Sequence, residues 1–247
     1  MTGWPDLLSR FAGRGHGVAF VIPAYNHGRT VQQVAIDAAA TGCPVWVVDD
    51  GSTDETPKAL ESLHGVTVIR HQENLGKGAA LLTGMGAAAA SARWVVSVDA
   101  DGQHVPAEAL SLLAAVEGLE RPAIVLGRRE GMRDTAVPWT SKFGRGFSNF
   151  WVCASGGPRV SDSQTGFRVY PVPEVLHLPV RSRRFQFEVE VLVLAHRRGI
   201  DVIEMPVSVV YGQRVSHFRP WRDFWRNSST FSRLIFQRLL KVRRDAP

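Results

Sequence analysis

Two aspartates one residue apart, Asp99 and Asp101, follow the apolar run at residues 94–98. Valine and tryptophan over this length are typical of a strand buried on both faces, as in the centre of a parallel sheet. Ligands of open α/β sheets collect at the carboxyl ends of such strands. The two carboxylates with Gln103 beside them suit Mg²⁺ or Mn²⁺, with phosphate oxygens completing the metal shell. The alternative is a polar turn whose aspartates cap the helix beginning near Pro106.

Asp49 and Asp50 mark a second strand end with acidic side chains, after the apolar run at residues 45–48. Ser52 or Thr53 is expected to cap the helix that follows, because short hydroxyl side chains are favoured at helix N-termini. The two aspartates precede that cap, so capping explains them less well than it explains the acidic residues after it. The sequence therefore predicts a second strand whose carboxyl end carries acidic side chains.

Basic residues follow two other predicted strands. Lys77 lies between Gly76 and Gly78 in a stretch that resembles a phosphate-binding loop, but the pattern Gly-x-x-x-x-Gly-Lys-[Ser/Thr] is absent. The strand at residues 123–126 ends in Gly-Arg-Arg, which includes Arg129. We therefore exclude a P-loop. Arg129 places a basic side chain at a strand end, whereas the strands at residues 45–48 and 94–98 are followed by acidic side chains.

The elements that must position these residues alternate between strands and helices. Such alternation is the sequence sign of a parallel sheet with right-handed crossovers. Strands are predicted at residues 18–22, 45–48, 66–70, 94–98 and 123–126, within 162–170, and at 202–211. Helices are predicted at residues 31–42, through 60–63, at 79–92, 106–118 and 143–151, and at 185–199.

The composition fits one α/β domain with appendages. The chain has 247 residues, of which 45% are hydrophobic and 21% charged, and a formal net charge of +6 that favours anionic partners. Cys43 and Cys153 are too far apart for a metal motif and indicate reduced thiols in a cytosolic protein. No signal peptide and no spanning segment of roughly 20 apolar residues is recognised.

The C-terminal residues 212–247 are predicted to form a basic, aromatic helical tail after a catalytic domain at residues 1–211. The tail holds nine Arg or Lys residues against two Asp. One interpretation is a helix at an anionic bilayer surface, with Trp221, Trp225, Phe231 and Ile235 in the interface and Arg222, Arg226, Arg233 and Arg238 at the headgroups. The other is a helix that packs its apolar face on its own domain or on a second subunit.

Five motifs together resemble the family 2 glycosyltransferases, and among these the dolichyl- or polyprenyl-phosphate sugar transferases. They are Pro-Ala-Tyr-Asn at 23–26, Val-Asp-Asp-Gly-Ser-Thr-Asp at 48–54, Asn-Leu-Gly-Lys-Gly at 74–78, the pair at 99–101 with Gln103, and Gln-Thr-Gly-Phe-Arg at 164–168. The resemblance covers roughly residues 19–211. It implies the GT-A fold, which is a Rossmann-like α/β three-layer sandwich with a mostly parallel central sheet.

The resemblance also implies site residues. Those expected around the donor nucleotide and sugar are Pro23, Ala24, Tyr25, Asn26, Asp49, Asp50, Lys77 and Ala100. Asp99, Asp101 and Gln103 would hold Mg²⁺ or Mn²⁺, and Asp99, Asp101, Arg129 and Arg145 would be catalytic. The acceptor side would be lined by Arg145, Ser148 and Arg168, and Arg214 is a further substrate-binding residue. His27 stands where the polyprenyl-phosphate enzymes usually carry Glu, so the base of the donor, GDP- or UDP-linked, stays open.

The implied reaction is inverting transfer of a sugar from a nucleotide diphosphate to a lipid phosphate at the inner face of the cell membrane. An acceptor phosphate needs no general base, whereas a hydroxyl acceptor needs one, for which the candidates are Asp162, Glu188 and Glu190. A sugar-phosphate nucleotidyltransferase is a further alternative. The missing Gly-x-Gly-x-x-Gly argues against a dinucleotide oxidoreductase. A purely basic membrane- or nucleic-acid-binding module leaves the acidic pair unexplained, and no nucleic-acid partner is expected.

Overall fold

A computed structural model describes residues 3–130, 139–210 and 228–238 of the chain, with side chains left out at 139–145. Seven strands form one sheet in the order β3-β2-β1-β4-β6-β5-β7. They are β1 (Val18–Ala24), β2 (Val45–Asp49), β3 (Thr67–Arg70), β4 (Trp94–Ser97), β5 (Ala123–Arg129), β6 (Arg168–Pro171) and β7 (Asp201–Val207). Only β6 among these runs against its neighbours, pairing antiparallel with both β4 and β5.

Helices cover both faces of this sheet. The described ones are α1 (Trp4–Gly13), α2 (Val31–Ala39), α3 (Thr56–Glu61), α4 (Lys77–Ala88), α5 (Ala109–Ala114), α6 (Trp139–Ala154), α7 (Val172–Leu176), α8 (Phe187–Arg197) and α9 over residues 228–238. One core layer joins α1, α2 and α5 to the sheet, and the other joins α4, α7, α8 and α9. The predicted three-layer α/β sandwich with a mostly parallel sheet is therefore confirmed.

Several element boundaries differ from the prediction. The helix expected at 106–118 begins as a 3-10 turn at Pro106–Glu108 and continues only as α5. The last strand ends at Val207 rather than continuing to residue 211. Helices α1 and α7 were not predicted, although Leu7 and Phe11 of α1 are four residues apart and both buried, which is helical spacing.

The described part of the tail packs on the protein. Phe231 is 2% exposed and stacks on Trp151 of α6 at 6.2 Å between ring centroids, and Leu234 is fully buried. Arg233 donates to Glu190 Oε1 at 2.8 Å. The prediction that Phe231 enters a membrane and that Arg233 faces headgroups is therefore wrong. Among the described residues no helix has the length and apolar character needed to cross a bilayer.

Of the other tail residues predicted to contact a membrane, some lie within the described part of the chain and the rest lie outside it. Ile235 is partly buried and Arg238 is exposed, with a hydrogen bond of 2.9 Å from Nη1 to the Ala154 carbonyl. Trp221, Arg222, Trp225 and Arg226 lie outside the described residues. Packing on the chain's own domain, the alternative left open by the sequence, therefore describes residues 228–238.

Candidate active site

Strands β2, β1 and β4 are adjacent and parallel, so their carboxyl ends open at one edge of the sheet. This edge gathers the motif at residues 23–26, the aspartates Asp49 and Asp50, and the pair Asp99 and Asp101. A sheet edge of this kind is the usual ligand site of an open α/β fold. Three of the predicted motifs therefore converge on one cleft.

Asn26 ties the loop after β1 to the loop after β2. Its backbone N–H donates to Ser52 Oγ at 2.9 Å, and its Oδ1 accepts the N–H of Thr53 at 2.9 Å. Asn26 has φ of 55°, in the left-handed region that asparagine tolerates better than most residues. Because Ser52 and Thr53 are used here, neither caps α3, which begins only at Thr56. The expected cap is therefore wrong.

The two aspartates after β2 have different partners. Asp50 accepts the Gly76 N–H through Oδ2 at 2.7 Å and lies 2.7 Å from His71 Nδ1 through Oδ1, which fixes the loop before α4. Asp49 accepts the Ser52 N–H through Oδ1 at 2.9 Å. Its buried Oδ2 forms no hydrogen bond with the described residues and lies 3.3 Å from Arg70 Nε. Asp49 is thus the aspartate with an oxygen left to accept a hydrogen bond.

Asp99 is held by a lysine. Lys77 Nζ lies 2.6 Å from Asp99 Oδ1 and 2.6 Å from Glu188 Oε1. Burial opposes the charge on Lys77, but attraction to Asp99 and Glu188 outweighs it and raises the lysine pKa. Burial also opposes the charge on Asp99, yet the nearby Lys77 lowers the pKa of Asp99 below its ordinary value. Asp99 therefore stays ionised without a metal.

Asp101 and Gln103 form the other half of the predicted metal site. Asp101 Oδ1 accepts the Gln103 N–H at 3.0 Å, and the Gln103 carbonyl accepts the Val210 N–H at 2.9 Å. Burial, and then the charge of Asp99, raise the pKa of Asp101. A second negative charge beside Asp99 is thus disfavoured until a cation arrives.

The described residues contain no cluster of three or more His, Cys, Asp or Glu side chains arranged to hold a metal ion. The available donors are the carboxylates of Asp99 and Asp101 and the amide of Gln103, all hard oxygens that suit Mg²⁺ or Mn²⁺. Repulsion between the two carboxylates is what a divalent cation would relieve. The residues therefore fit a cation whose remaining ligands come from a bound phosphate.

Gly166 lets the loop before β6 approach Asp99. A Cβ added to Gly166 would lie 2.3 Å from Asp99 Oδ2, and the Gly166 carbonyl accepts the hydroxyl of Ser97 at 2.7 Å. Only glycine fits this contact. The Gln-Thr-Gly-Phe-Arg motif therefore supports the acidic pair through its backbone, a role that the sequence analysis missed.

Arg129 lies at the end of β5 in a bidentate ion pair. Its Nε and Nη2 donate to Asp162 Oδ2 and Oδ1 at 2.7 and 2.8 Å. Asp162 is fully buried, and its backbone N–H donates to Glu204 Oε1 at 3.2 Å. Burial opposes the charge on Arg129, but the Asp162 contacts raise the pKa of Arg129. The positive charge of Arg129 also acts on Asp101, where it opposes the rise in the pKa of that carboxyl.

Two residues expected on the acceptor side, Arg168 and Ser148, are buried. Arg168 is 0% exposed and donates to the carbonyls of Thr165, Ser163 and Glu188 at 2.7, 2.9 and 2.8 Å. Ser148 is 1% exposed and accepts the hydroxyl of Ser163 at 3.0 Å. Both side chains are held by contacts within the protein, and their expected role on the acceptor side stays a prediction. The side chain of Arg145, and the whole of Arg214, lie outside the described residues.

The three proposed general bases are all engaged. Asp162 holds Arg129, and Glu188 holds Lys77. Glu190 is 1% exposed and accepts the Ser182 N–H at 2.7 Å as well as Arg233. A base must reach the proton that it removes, so none of the three is placed to activate a hydroxyl without first breaking an ion pair.

Two further residues lie at the acidic edge, the part of the cleft formed by Asp49, Asp50, Asp99 and Asp101. Their contacts were not predicted from the sequence. Thr30, just before α2, donates its hydroxyl to the Ala100 carbonyl at 2.6 Å and so fixes the turn between the two aspartates. His104 is 5% exposed and stacks on Phe167 at 5.1 Å between ring centroids. Burial lowers the pKa of His104. Only the tertiary fold reveals these contacts.

Comparison with known proteins identifies the family. The model of Glycosyl transferase family 2 matches residues 19–172, which is more than half of the chain. The chain belongs to this family. Its activity class is therefore glycosyl transfer, and the resemblance seen in the five motifs is confirmed.

Two similar members have names that state a substrate class. The UDP-N-acetylglucosamine–dolichyl-phosphate N-acetylglucosaminyltransferase of Methanococcus voltae is 27% identical over 215 residues, covering 78% of this chain and 86% of that protein. The polyprenol monophosphomannose synthase of Mycolicibacterium smegmatis is 30% identical over 204 residues, covering 76% and 75%.

A solved structure matches nearly the whole chain in fold. The glucosyl-3-phosphoglycerate synthase of Mycobacterium tuberculosis, in complex with Mn²⁺, UDP-glucose and phosphoglyceric acid, superposes with a TM-score of 0.69 at 20% identity. The match covers 96% of this chain and 84% of that one. At this identity the likeness establishes the GT-A fold and nothing finer.

Proposed function

We propose that this family 2 glycosyltransferase moves a sugar from a GDP- or UDP-linked donor to a polyprenyl phosphate, with a divalent cation and with inversion at the anomeric carbon. The named substrates of the two relatives, dolichyl phosphate and a polyprenol phosphate, support the acceptor class. The complex of the structural neighbour with Mn²⁺ and UDP-glucose supports the cation and a nucleotide-sugar donor.

The observation that carries the acceptor proposal is the engagement of every candidate general base. Asp162, Glu188 and Glu190 are each bound to a cationic side chain. A phosphate acceptor is already anionic and needs no proton removed, so it suits a cleft whose carboxylates are occupied. Arg129, as a planar guanidinium at a strand end, is the kind of group that binds phosphate oxygens.

The nucleotide-sugar donor is expected to bind at the acidic edge, beside the carboxyl ends of β1, β2 and β4. Asp49, whose Oδ2 is ion-paired with Arg70 but forms no hydrogen bond with the described residues, would accept a hydroxyl or N–H of the nucleoside, and residues 23–26 would border the base. Asp101 and Gln103, with Asp99, would hold Mg²⁺ or Mn²⁺. That cation would neutralise the donor diphosphate and make nucleoside diphosphate a competent leaving group.

The deciding experiment combines donor and acceptor panels. Purified protein is incubated with UDP- and GDP-sugars in Mn²⁺, Mg²⁺ or EDTA, together with a short-chain polyprenyl phosphate, the matching polyprenol or phosphoglycerate. We expect a product only with the lipid phosphate and a divalent cation, and nuclear magnetic resonance should show an inverted anomeric linkage. Transfer to the polyprenol or to phosphoglycerate instead would contradict the acceptor proposal. Full activity in EDTA would contradict the metal site.

We also propose that the enzyme works at a membrane surface, where such an acceptor resides. Each basic residue near an anionic surface contributes about 1 kcal/mol, and the tail holds eight of them besides Arg233, which is paired with Glu190. The apolar side chains Phe150 and Phe236 are 64% and 62% exposed on α6 and α9. The test is cosedimentation of the full chain with anionic and neutral vesicles at low and high salt. Binding to anionic vesicles that salt releases is expected, and no binding, or equal binding to both, would refute it.

A further inference from the structure

Lys77 occupies an unusual position at the first residue of α4. A cation at a helix N-terminus is disfavoured by the helix dipole, whose positive end lies there. The side chain is also only 13% exposed. A buried ammonium in such a place requires opposite charge, and Asp99 and Glu188 supply it at 2.6 Å each.

The chain is built to bring these three groups together. The N-terminus of α4 abuts the segment before α8, because the Ala79 N–H donates to the Arg183 carbonyl at 2.9 Å. A Cβ on Gly76 would lie 2.4 Å from Arg184 Cγ, and one on Gly78 would lie 2.5 Å from Phe187 Cβ. The two glycines around Lys77 therefore permit close packing rather than wrapping a phosphate as in a P-loop.

This geometry places the Lys77 ammonium between two carboxylates. Two carboxylate oxygens from different elements, Asp99 Oδ1 and Glu188 Oε1, converge on one point, and Asp101 lies on the same turn as Asp99. Convergent carboxylates of this kind are hard ligands for a divalent cation. Nζ fills the point between them with a charge that cannot leave the protein.

We propose that Lys77 acts as a built-in cation between Asp99 and Glu188. It holds Asp99 in one orientation, and it restricts divalent ions to the Asp101 side of the pair. Lys77 is then a positioning residue that joins the donor edge of the cleft, formed by β4, to α8. The assignment of Asp101 as the metal side rests on the proposed function, whereas the cation position between Asp99 and Glu188 rests on geometry alone.

The test is Mn²⁺ binding to the nucleotide-free protein, followed by electron paramagnetic resonance. Lys77→Met removes the ammonium while keeping an unbranched side chain, and Lys58→Met removes an exposed lysine of α3 as the matched control. We expect Lys77→Met to bind Mn²⁺ at least tenfold more tightly than wild type, and Lys58→Met to match wild type. The double variant Lys77→Met with Glu188→Gln should lose that gain.

Thermal unfolding gives a second readout. In EDTA, Lys77→Met should unfold at a lower temperature than wild type, because two carboxylates are then left without their cation. Mn²⁺ should raise its melting temperature by more than it raises that of wild type. If the variant does not fold in EDTA, refolding in Mn²⁺ should recover it, and failure to do so would overturn the proposal.

The outcomes separate this inference from the proposed function. Affinity for Mn²⁺ in folded Lys77→Met that is equal to or weaker than wild type would show that the ammonium is not a cation substitute. The same conclusion follows if the double variant keeps the gain. Absence of Mn²⁺ binding to wild type even with a nucleoside diphosphate bound, with a gain in nucleotide-free Lys77→Met, would instead remove the metal site of the proposed function and support the inference.

Discussion

The ion pair between Arg129 and Asp162 gives the most direct test of how the cleft is positioned. Asp162→Asn keeps the shape of the side chain but removes its charge and turns one acceptor into an N–H₂ donor that faces the guanidinium. Both Asp162 oxygens are used, at 2.7 and 2.8 Å, and the residue is fully buried. The substitution therefore leaves a guanidinium without its counter-charge.

The expected cost follows from that geometry. Removing one partner of a buried ion pair costs about 3–5 kcal/mol. The Arg129 side chain is 18% exposed and can recruit water, and asparagine keeps one acceptor, so we expect about 2–3 kcal/mol here. For a chain of this length each kcal/mol lowers the melting temperature by about 2–4 °C, which gives a decrease of about 4–12 °C.

The kinetic effect should exceed what a stability loss explains. If Asp162 aims Arg129 at a phosphate, Asp162→Asn should lower kcat/KM for the lipid phosphate at least tenfold, about 1.4 kcal/mol, at a temperature where the variant is folded. Arg129→Ala should lower it by a similar factor. The double variant should lose little more than either single one, since both act through the same contact.

The matched control is the second bidentate pair in the protein's described part. Arg93 donates to Glu174 at 2.8 and 2.6 Å, on half-buried side chains away from the acidic edge. Glu174→Gln should cost about 1 kcal/mol or less and leave kcat/KM unchanged. Wild-type kinetics in Asp162→Asn, with the predicted loss of stability, would refute the positioning of Arg129 and make the pair purely structural.

Three further predictions test other parts of the site. Asp101→Asn should abolish Mn²⁺-dependent donor binding in calorimetry while circular dichroism stays unchanged, and retained binding would contradict the metal assignment. Gly166→Ala should lower turnover at least tenfold by displacing the Asp99 carboxylate, which a Cβ would approach to 2.3 Å, and normal kinetics would contradict that contact. Phe231→Ala should lower the free energy of unfolding by about 3–5 kcal/mol in urea titrations, through loss of its buried stack on Trp151, and a near-zero change would mean that α9 does not pack as described.

The sheet and its acidic edge could be predicted from the sequence because both are local. The buried strands are continuous apolar runs in the sequence, and the polar residues at their carboxyl ends follow within one or two positions. The family motifs added the order of the elements. By contrast, α1 was not predicted, although Leu7 and Phe11 have helical spacing and Pro5 stands at its start.

The partners of the site residues could not be predicted, because they come from distant parts of the chain. Glu188 meets Lys77 across 111 positions, and Asp162 meets Arg129 across 33. Sequence reasoning proposed both acids as general bases, since an isolated carboxylate has no visible counter-charge. The same limit hid the partners of Arg168, because an arginine that donates to backbone carbonyls has the same sequence signature as one that faces a substrate.

The pairing pattern suggests why a divalent cation belongs at one particular point of this cleft. Asp99 and Glu188 share the charge of Lys77, and Asp162 is matched by Arg129. Burial and the neighbouring Asp99 carboxylate both raise the pKa of Asp101. A diphosphate donor brings further negative charge to the same place, which the fixed ion pairs cannot offset without releasing an acid. A mobile cation at Asp101 would offset both, so we expect metal and donor to bind together more tightly than either binds alone.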